Sequence, residues 1–295
     1  MLKIALDTLK YGESKNPEDK HDEYQYINLI KHILDCGTMI EGRNGNALTI
    51  YGSSMHFSLE NNTWPLLTSK KVAWKTCAKE LFWFLKGSTS NIELQQQNVH
   101  IWDGNGSREF LDSRGLINLE ENDLGPVYGH QWRFFNASYE NCNTDYSGKG
   151  VDQIKYIIDC LKDPKERYSR RLIFPPCHVL AQFNVIGNKL SCSLYQRSGD
   201  VGLGVPFNIA SYSLLTHIIG KHCELEPYEF IYHLGNCHIY DDHIKPLRNQ
   251  VNNQLYTFPK INILEKYHDI NSYSIKDIKV ENYQCNNVIK MEMRK

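Results

Sequence analysis

The chain contains 295 residues, 41% of them hydrophobic, and its formal net charge at pH 7 is −1. This balance gives no overall positive field, so we do not expect binding to DNA or to an anionic membrane surface, and any anion site must be local. No apolar run is long enough to span a bilayer, and the charged N-terminal residues do not resemble a signal peptide, which predicts a cytoplasmic protein.

The cysteines indicate neither a disulfide scaffold nor a zinc site. Nine of them are scattered over the chain, and no Cys-x-x-Cys pair occurs. An odd number without close spacing is not a disulfide framework, and a zinc ribbon lacks its ligand pairs. We therefore predict no metal site, and we expect most of these thiols to be small buried hydrophobes.

The domain organisation follows from the distribution of polar residues. The longest polar stretch lies at residues 13–23, and no comparable linker interrupts the rest of the chain. We predict a loosely ordered N-terminal extension over residues 1–21 and a single domain over residues 22–295.

The domain begins with a helical pattern that gives way to an extended one. Apolar residues recur at helical spacing over residues 22–34, and Gly37 ends that helix. Residues 48–59 alternate as strands do, after a turn with Asn-Gly at its centre. The turn carries Arg43, which can aim its guanidinium group at an anion or remain a solvated loop residue.

Residues 70–86 give the strongest helix signal, closed by Gly87. Within this helix, Glu80 precedes a run of four apolar and aromatic residues. Glu80 either lies on the wet edge of the helix or faces a pocket. In a pocket, apolar surroundings would raise its pKa and suit the carboxyl group to proton transfer.

Two glycine-rich segments come next. A short strand ending in an Asp-Gly-Asn-Gly loop is predicted over residues 98–108, and a second turn-rich segment covers residues 123–133. Loops of this kind commonly line a flat, ring-shaped ligand, although they also merely turn corners. The candidate ligand contacts are Trp102, Asn105, Tyr128 and Trp132.

A helix and an arginine cluster then lead toward the middle of the chain. Residues 151–162 form an amphipathic helix pattern that Pro164 stops. Three arginines follow within five positions, and guanidinium groups repel one another unless an anion or carboxylates lie between them. Arg170 and Arg171 therefore belong either to a phosphate site or to a set of surface ion pairs.

Cys177 stands between a proline and a histidine, at the start of an apolar strand over residues 179–185. A thiol acts as a nucleophile in its thiolate form, which needs a nearby positive charge. The next strand, residues 189–197, is predicted to form a hairpin that brings Arg197 to the same open end as Cys177. His178 points away from its sequence neighbour and is a poor base for it.

Residues 197–206 form a glycine-threaded loop that offers a guanidinium group, a hydroxyl group and backbone N–H groups. These donors suit a phosphate monoester. No Lys-Ser/Thr pair follows the glycines, so the loop is not a triphosphate-binding P-loop.

Asn208 precedes an apolar helix pattern over residues 209–219. Its carboxamide matches the N3–H and O4 edge of uracil and mismatches the reversed edge of cytosine. The alternative is that Asn208 only caps the helix. Further along, His238 and Tyr240 alternate on one strand face and can share a sugar hydroxyl, or each is a core residue that satisfies its own polar atom.

From about residue 22 to residue 293 the chain resembles the thymidylate synthase family. The motifs that carry the resemblance are RNGNALTIYG, LFWFLKGST, IWDGNGSR, DLGPVYGHQWR, PPCH, LYQRSGDVGLGVPFNIASY and HIYDDHI, in the family's order. The resemblance implies an α+β single domain with a large curved mixed sheet packed by helices, and a homodimer formed through that sheet. The implied reaction is the reductive methylation of dUMP to dTMP, with 5,10-methylenetetrahydrofolate as co-substrate and dihydrofolate as the second product.

The resemblance also implies residue roles. Cys177 would add to C6 of the uracil, Glu80 would relay protons, and Tyr128 would help to remove the C5 proton; Arg197 and Asp200 complete the implied catalytic set. The implied substrate contacts are Arg43, His178, Gln196, Arg197, Ser198, Asp200, Asn208, His238 and Tyr240, with Arg170 and Arg171 from the second subunit. The implied folate contacts are Trp102, Asn105, Asp200, Leu203, Gly204 and Phe207.

The chain departs from the family pattern at three places. Only five residues separate Arg171 from Cys177, and a segment of about six residues spans at most about 20 Å. Arg170 and Arg171 therefore cannot run out along one strand and return to the catalytic cysteine as the family pattern requires. Either the two arginines lie elsewhere or the sheet is rearranged. The family's Gly-Asp-Ala-His is Gly-Asn-Cys-His at residues 235–238, and the chain ends in Met293, Arg294 and Lys295 rather than in small apolar residues. The last change predicts weaker closure over the folate.

Two other functions remain alternatives. The shortened segment before Cys177 is compatible with a catalytically impaired homologue that binds nucleotide or RNA without turnover. A pyrimidine hydroxymethylase would share the covalent thiolate step. Asn208 argues against this alternative, because its carboxamide favours uracil over a cytosine substrate.

Overall fold

The computed structural model describes residues 21–42, 44–163, 170–173 and 177–294, and for residues 170–173 it describes the backbone alone. The predicted N-terminal extension lies outside these ranges apart from His21, so its looseness remains a prediction. His21 itself is attached to the domain, because its Nε2 lies 2.7 Å from the carbonyl oxygen of Tyr256.

Among the described residues, one helix and two strands come first, a run of helices follows, and the remaining strands lie in the second half of the chain. The helices are α1 (Tyr24–Cys36), α2 (Trp74–Leu85), α3 (Asn91–Gln95), α4 (Asp103–Gly106), α5 (Arg108–Ser113), α6 (Tyr128–Arg133), α7 (Gln153–Lys162), α8 (Gly204–Cys223) and α9 (Ile244–Gln250). The strands are β1 (Thr38–Gly42), β2 (Gly45–Ser58), β3 (Arg170–Ile173), β4 (His178–Ile186), β5 (Lys189–Asp200), β6 (Glu226–Tyr240), β7 (Lys260–Ile263) and β8 (Ile278–Glu281).

A mixed sheet organises the domain. Its six strands lie in the order β1-β2-β6-β5-β4-β3, and a separate pair is formed by β7 and β8. Within the large sheet β5 and β6 are parallel, whereas the other neighbours are antiparallel. The predicted fold class, α+β with a mixed sheet packed by helices, is confirmed.

Helix α8 makes the crossover between the two parallel strands. Parallel neighbours cannot be joined by a tight turn, so a helix must carry the chain back to the start of the sheet. The helix is apolar around most of its circumference and is buried along nearly its whole length. A helix of this kind belongs inside the domain, and α8 therefore fixes one wall of any site at the end of β5.

Helices α1 and α2 confirm the two helices that the spacing of apolar residues predicted, although α2 begins at Trp74, four residues after the predicted start. Tyr26, Ile30 and Ile33 of α1 are fully buried, and the N–H of Gly37 donates to the carbonyl oxygen of Ile33 at 2.9 Å to end the helix. Helix α2 buries its aromatic run against the same core. Both helices thus join the sheet in one hydrophobic core.

One local prediction is wrong at the first glycine-rich segment. Instead of a short strand, residues 98–106 form turns followed by the single-turn helix α4. The Asp103 carboxylate accepts hydrogen bonds from Asn91 and Gln95, each at 2.9 Å, and His100 Nδ1 lies 2.9 Å from it. These local bonds fold the backbone over itself, which an extended strand would not allow.

A second local prediction places the loop after Arg197 too early. Strand β5 continues to Asp200, because its parallel pairing with β6 extends to the pair Asp200 and His238. Helix α8 then begins at Gly204, so Asn208 lies inside the helix and not at its N-cap. The capping alternative for Asn208 is therefore wrong.

The two arginines that precede the shortened segment lie on a strand that pairs with β4. Strand β3 pairs antiparallel with β4, with Arg170 opposite Phe183 and Arg171 opposite Gln182. The backbone of Arg170 and Arg171 therefore lies at the edge of the sheet. Where these two side chains point lies outside the described residues.

Candidate active site

The site lies at the end of the sheet where β5 and β6 finish, in a cavity of about 990 Å³. The predicted site residues whose side chains are described all line it: Glu80, Trp102, Asn105, Tyr128, Cys177, His178, Gln196, Arg197, Ser198, Asp200, Leu203, Gly204, Phe207, Asn208, His238 and Tyr240. Arg43 and the side chains of Arg170 and Arg171 lie outside the described residues. Trp132, the remaining ring-ligand candidate, is buried in the core beside the cavity.

Cys177 and Arg197 are neighbours, as the hairpin pattern predicted. The N–H of Arg197 donates to the carbonyl oxygen of Cys177 at 3.1 Å, and the guanidinium Nη2 lies 3.7 Å from the sulfur. Strand β6 can pass close to this pair because residue 235 is glycine. A Cβ atom at Gly235 would lie 2.6 Å from the carbonyl oxygen of Arg197.

Glu80 projects from α2 into the cavity. The alternative, that it lies on the solvent-exposed edge of the helix, is therefore wrong. The indole N–H of Trp102 donates to Glu80 Oε1 at 2.7 Å. Burial raises the pKa of Glu80 to about 7, and the hydrogen bond from Trp102 opposes this rise. A carboxyl group with this pKa can both give and take a proton near neutral pH.

His178 is a fixed part of the wall and not a base for Cys177. Its ring stacks on Tyr128 with the centroids 4.6 Å apart, and its two nitrogens lie within hydrogen-bonding distance of the Tyr212 hydroxyl and the Asn208 carboxamide. Burial lowers the pKa of His178 to about 4, so the ring is neutral at physiological pH. Burial, followed by the nearby Cys177, raises the pKa of Tyr128.

The Asn208 carboxamide is held by three partners. Its Nδ2 donates to Gln196 Oε1 at 2.8 Å and to the Tyr232 hydroxyl at 3.1 Å. Its Oδ1 lies 3.2 Å from His178 Nε2. Both ends of the amide are therefore fixed before any ligand enters the cavity.

His238 and Tyr240 emerge side by side at the end of β6, with ring centroids 5.1 Å apart. His238 Nδ1 lies 2.8 Å from the Oδ1 of Asn236, which stands where the family has a carboxylate. The amide oxygen can only accept, so Nδ1 carries the proton and Nε2 keeps a lone pair. The changed motif thus still orients the histidine ring.

Asp200 has a structural role as well as a place in the cavity. Its Oδ1 accepts hydrogen bonds from the N–H groups of Gly202 and Leu203, at 2.8 and 3.3 Å. These bonds shape the turn that leads from β5 into α8. Asp200 therefore positions the residues on the apolar side of the cavity, where Leu203, Phe207 and Trp102 lie.

Several residues of the site were given no role in the sequence analysis, although most of them lie within its motifs. Phe84, Ile101, Thr49, Asn236 and Met293 line the cavity, and Tyr212 and Tyr232 lie directly behind it. Most are ordinary core types that no spacing marks as functional. Tyr232 is the exception, because strand alternation places it on the same face of β6 as His238.

The C-terminal segment is fastened beside the cavity. Arg294 pairs with Asp241 at 2.7 Å and with Asp242 at 2.9 Å, and its guanidinium group lies 5.8 Å from the centre of the Tyr240 ring. The preceding residue, Met293, lines the cavity. Weaker closure remains a prediction, but these contacts favour a segment that is held in place.

The comparisons with known proteins agree with this geometry. A family model described as thymidylate synthase matches residues 24–295. The chain belongs to the thymidylate synthase family. It is 48% identical to the human thymidylate synthase, over 94% of this chain and 92% of that protein. It is 46% identical to the enzyme of Herpesvirus ateles, over 94% of this chain and 99% of that protein.

A plant relative shows the same domain inside a longer protein. The chain is 45% identical to the bifunctional dihydrofolate reductase-thymidylate synthase of Zea mays, over 93% of this chain and 55% of that protein. In the part of the chain that the structure describes, no group of three or more His, Cys, Asp or Glu residues could hold a metal ion. Within the same residues, no helix is long and apolar enough to cross a membrane.

The raised pKa of Glu80 makes stability depend on pH. The folded protein holds this proton more tightly than the unfolded chain, so the stabilisation is complete below the ordinary pKa of 4.5 and is lost as the pH rises through about 7. Glu80→Gln should therefore gain stability relative to the wild type across this interval, by on the order of 2–3 kcal/mol. Urea denaturation at a series of pH values measures the difference.

Trp102→Phe provides the matched variant for this experiment. It removes the hydrogen bond that lowers the Glu80 pKa, so the loss of stability should still begin near pH 4.5 but extend to higher pH than in the wild type. A wild-type and Glu80→Gln difference that stays constant from pH 4.5 to pH 8 would show that burial does not perturb this carboxyl group.

Arg294→Ala should separate closure from stability. The ion pairs of Arg294 are partly exposed, so the free energy of unfolding should fall by only about 0.5–1 kcal/mol. Because Met293 loses its anchor, we expect the KM for the reduced folate to rise about three- to tenfold while dUMP binding is unchanged. Lys279→Ala, which breaks an ion pair with Glu281 on β8, is the control. An unchanged folate KM would contradict the anchoring role.

Proposed function

We propose that this chain is an active thymidylate synthase, which converts dUMP and 5,10-methylenetetrahydrofolate into dTMP and dihydrofolate. The observation that carries the proposal is the convergence of a thiol, a guanidinium group, a carboxamide and a carboxyl group in one cavity of about 990 Å³. Its volume lies at the upper end of the range of small-molecule sites, as two ligands bound together require.

The nucleotide occupies the polar end of the cavity in this proposal. Arg197 and Ser198 hold the phosphate, together with Arg43, which lies between β1 and β2 in the sequence, and His238 and Tyr240 bond the deoxyribose hydroxyl. The pyrimidine ring then lies over Cys177, with its carbonyl edge toward Asn208. The reduced folate stacks against the apolar side, beside Trp102 and Phe207, with Asn105, Leu203 and Gly204 completing that wall.

Covalent activation of the base begins at Cys177. The sulfur attacks C6 of the uracil, and the electron pair of the C5–C6 double bond makes C5 nucleophilic toward the one-carbon unit of the folate. The guanidinium group of Arg197, 3.7 Å from the sulfur, puts positive charge where a thiolate needs it. This arginine therefore serves both the phosphate and the nucleophile.

Glu80 and Tyr128 handle the protons. The pKa of Glu80, about 7, lets it relay a proton through water to the folate nitrogen and to O4 of the pyrimidine. Tyr128 lies against both Cys177 and Phe84, close to where C5 must sit, and helps to remove the C5 proton. Burial keeps its hydroxyl group protonated, so it acts through a hydrogen bond to the water that accepts the proton.

The retained chemical groups argue against the alternatives. An impaired nucleotide- or RNA-binding homologue has no use for a carboxyl group of raised pKa aimed at the same cavity as the thiol. A pyrimidine hydroxymethylase acting on cytosine conflicts with the orientation of the Asn208 amide. Both alternatives make clear experimental predictions.

The nucleophile can be tested by the absorbance of dihydrofolate formed from dUMP and methylenetetrahydrofolate. Cys177→Ser should reduce turnover by at least about 10⁴-fold, since an alcohol is a far weaker nucleophile at neutral pH, while dUMP still binds. Cys285→Ser, at a half-buried thiol outside the cavity, is the control and should keep wild-type turnover. Tight binding of dUMP by the wild type without dihydrofolate formation would favour the impaired homologue.

We further propose a homodimer formed through the open face of the large sheet. Along β5 the buried residues Cys192 and Leu194 alternate with Ser191, Ser193 and Tyr195, which remain accessible. The helices pack on the buried side, and a sheet face of this size is normally covered. A second copy of the chain is the occupant that the family resemblance implies.

The position of β3 supports a role for its arginines in the partner's site. Arg171 pairs with Gln182, five residues along β4 from Cys177, and so lies about 17 Å from its own nucleophile. An arginine side chain does not cover that distance to a nucleotide in the same subunit. Arg170 and Arg171 are therefore assigned to the phosphate bound by the second subunit.

Co-expression of two inactive variants tests this arrangement. One chain carries Cys177→Ser, and the other carries Arg170→Ala with Arg171→Ala. If the arginines act across the dimer, mixed dimers regain one complete site, and activity should return to about a quarter of the wild-type value. No recovery, although mixed dimers form, would place the arginines in the site of the subunit that carries them.

A further inference from the structure

A buried polar chain lies behind Asn208, and Tyr232 is its least expected member. Tyr232 is fully buried on β6, and its hydroxyl group contacts both Gln196 and Asn208. Gln196 is itself only 4% exposed. A hydrogen-bonded chain in so dry a setting has one low-energy arrangement of donors and acceptors, because any reversed bond leaves a buried group unsatisfied.

The donor-to-acceptor direction of this hydrogen-bonded chain is set by the carbonyl oxygen of Ser198. Gln196 Nε2 donates to this oxygen at 2.8 Å, and a backbone carbonyl can only accept. The amide of Gln196 must therefore turn its NH₂ group toward Ser198. Its Oε1 consequently faces the other way, toward Tyr232 and Asn208.

Tyr232 carries this direction to Asn208. Its single hydroxyl proton is donated to Gln196 Oε1, at 2.5 Å. Only lone pairs are left for Asn208, so two acceptors, the Tyr232 oxygen and Gln196 Oε1, face the same end of its carboxamide. A flipped Asn208 would place its own oxygen against both of them and lose two hydrogen bonds.

The other end of the carboxamide is fixed by His178. Tyr212 can donate its hydroxyl proton to His178 Nδ1, at 3.1 Å, which leaves the ring proton on Nε2 facing Asn208 Oδ1. A neutral imidazole has one N–H only, so this arrangement satisfies both ring nitrogens. The contacts at the two ends of the amide thus favour the same orientation of the Asn208 carboxamide.

The arrangement leaves a donor and an acceptor of Asn208 available to a ligand. Gln196 Oε1 and the Tyr232 oxygen lie 2.8 and 3.1 Å from Nδ2 and only 2.5 Å from each other, so the two acceptors can share one N–H. The second N–H and the second lone pair of Oδ1 remain. Side by side they match O4 and N3–H of uracil and oppose the amino group and N3 of cytosine.

We propose that Tyr232 is a positioning residue that locks the orientation of the Asn208 carboxamide and thereby helps to select uracil over cytosine. The inference rests on the proposed function, in which Asn208 contacts the base. Tyr232 touches no ligand in this scheme and acts only through Asn208 and Gln196.

The test compares dUMP and dCMP dissociation constants by calorimetry for the wild type and Tyr232→Phe. Loss of the hydroxyl group removes one of the two acceptors that oppose the flip. We expect the preference for dUMP over dCMP to fall about three- to tenfold, the effect of one hydrogen bond. Tyr273→Phe is the matched control, because it removes a buried hydroxyl that contacts the Tyr267 N–H away from the cavity. This control should lower stability without changing the preference.

A merely structural role for Tyr232 would lower stability and leave the dUMP to dCMP ratio unchanged, which would overturn the inference. If Tyr232→Phe does not fold, Gln196→Met provides the test, because it removes the other acceptor. The preference for dUMP over dCMP must then fall in Gln196→Met. An unchanged preference in this variant would also overturn the inference. Failure of the wild type to bind dUMP would instead refute the proposed function. The two failures are thus distinguishable.

Discussion

The pairing of β5 with both of its neighbours is the constraint on which the site depends. The antiparallel register with β4 places Gln196 opposite His178 and brings Arg197 to Cys177. The parallel register with β6 places Asp200 opposite His238. Side chains alternate along a strand, so a slip of one residue in either register would turn the polar groups of β5 to the other face of the sheet. Backbone hydrogen bonds therefore fix the catalytic geometry.

Burial decides what these groups can do once they are together. Helix α2 supplies Glu80 from one side, and α8 supplies Asn208 from another, so the apolar core surrounds the inner end of the cavity. There desolvation raises the pKa of Glu80 and lowers that of His178. Arg197 lies at the exposed end, where a charge costs little. The permanently charged Arg197 therefore lies near solvent, and Glu80, whose protonation can change near neutral pH, lies inside the cavity.

Sequence reasoning located the groups whose chemistry is rare, and it missed those whose chemistry is common. Cys177, Arg197 and Asn208 stand out because a thiol, a guanidinium group and a carboxamide in one short stretch have few structural uses. Tyr232 is one tyrosine among eighteen. Its importance arises from contacts with Asn208 and Gln196, which lie 24 and 36 positions away in the sequence, and no local pattern encodes such contacts. The strand wrongly predicted before Asp103 has a similar cause, since its side-chain bonds to α3 override a weak extended pattern.

The sequence by itself determined the fold class, through the motifs of the family resemblance, and it determined most of the main helices and strands and the set of polar groups available for chemistry. Hydrophobic spacing and turn residues are local properties, and they are legible one segment at a time. The tertiary structure alone decided that Glu80 faces the cavity, that Asn208 lies within α8, and that the Asn208 carboxamide is held in one orientation. These outcomes depend on burial and on hydrogen bonds between distant segments, and burial exists only after the chain has packed.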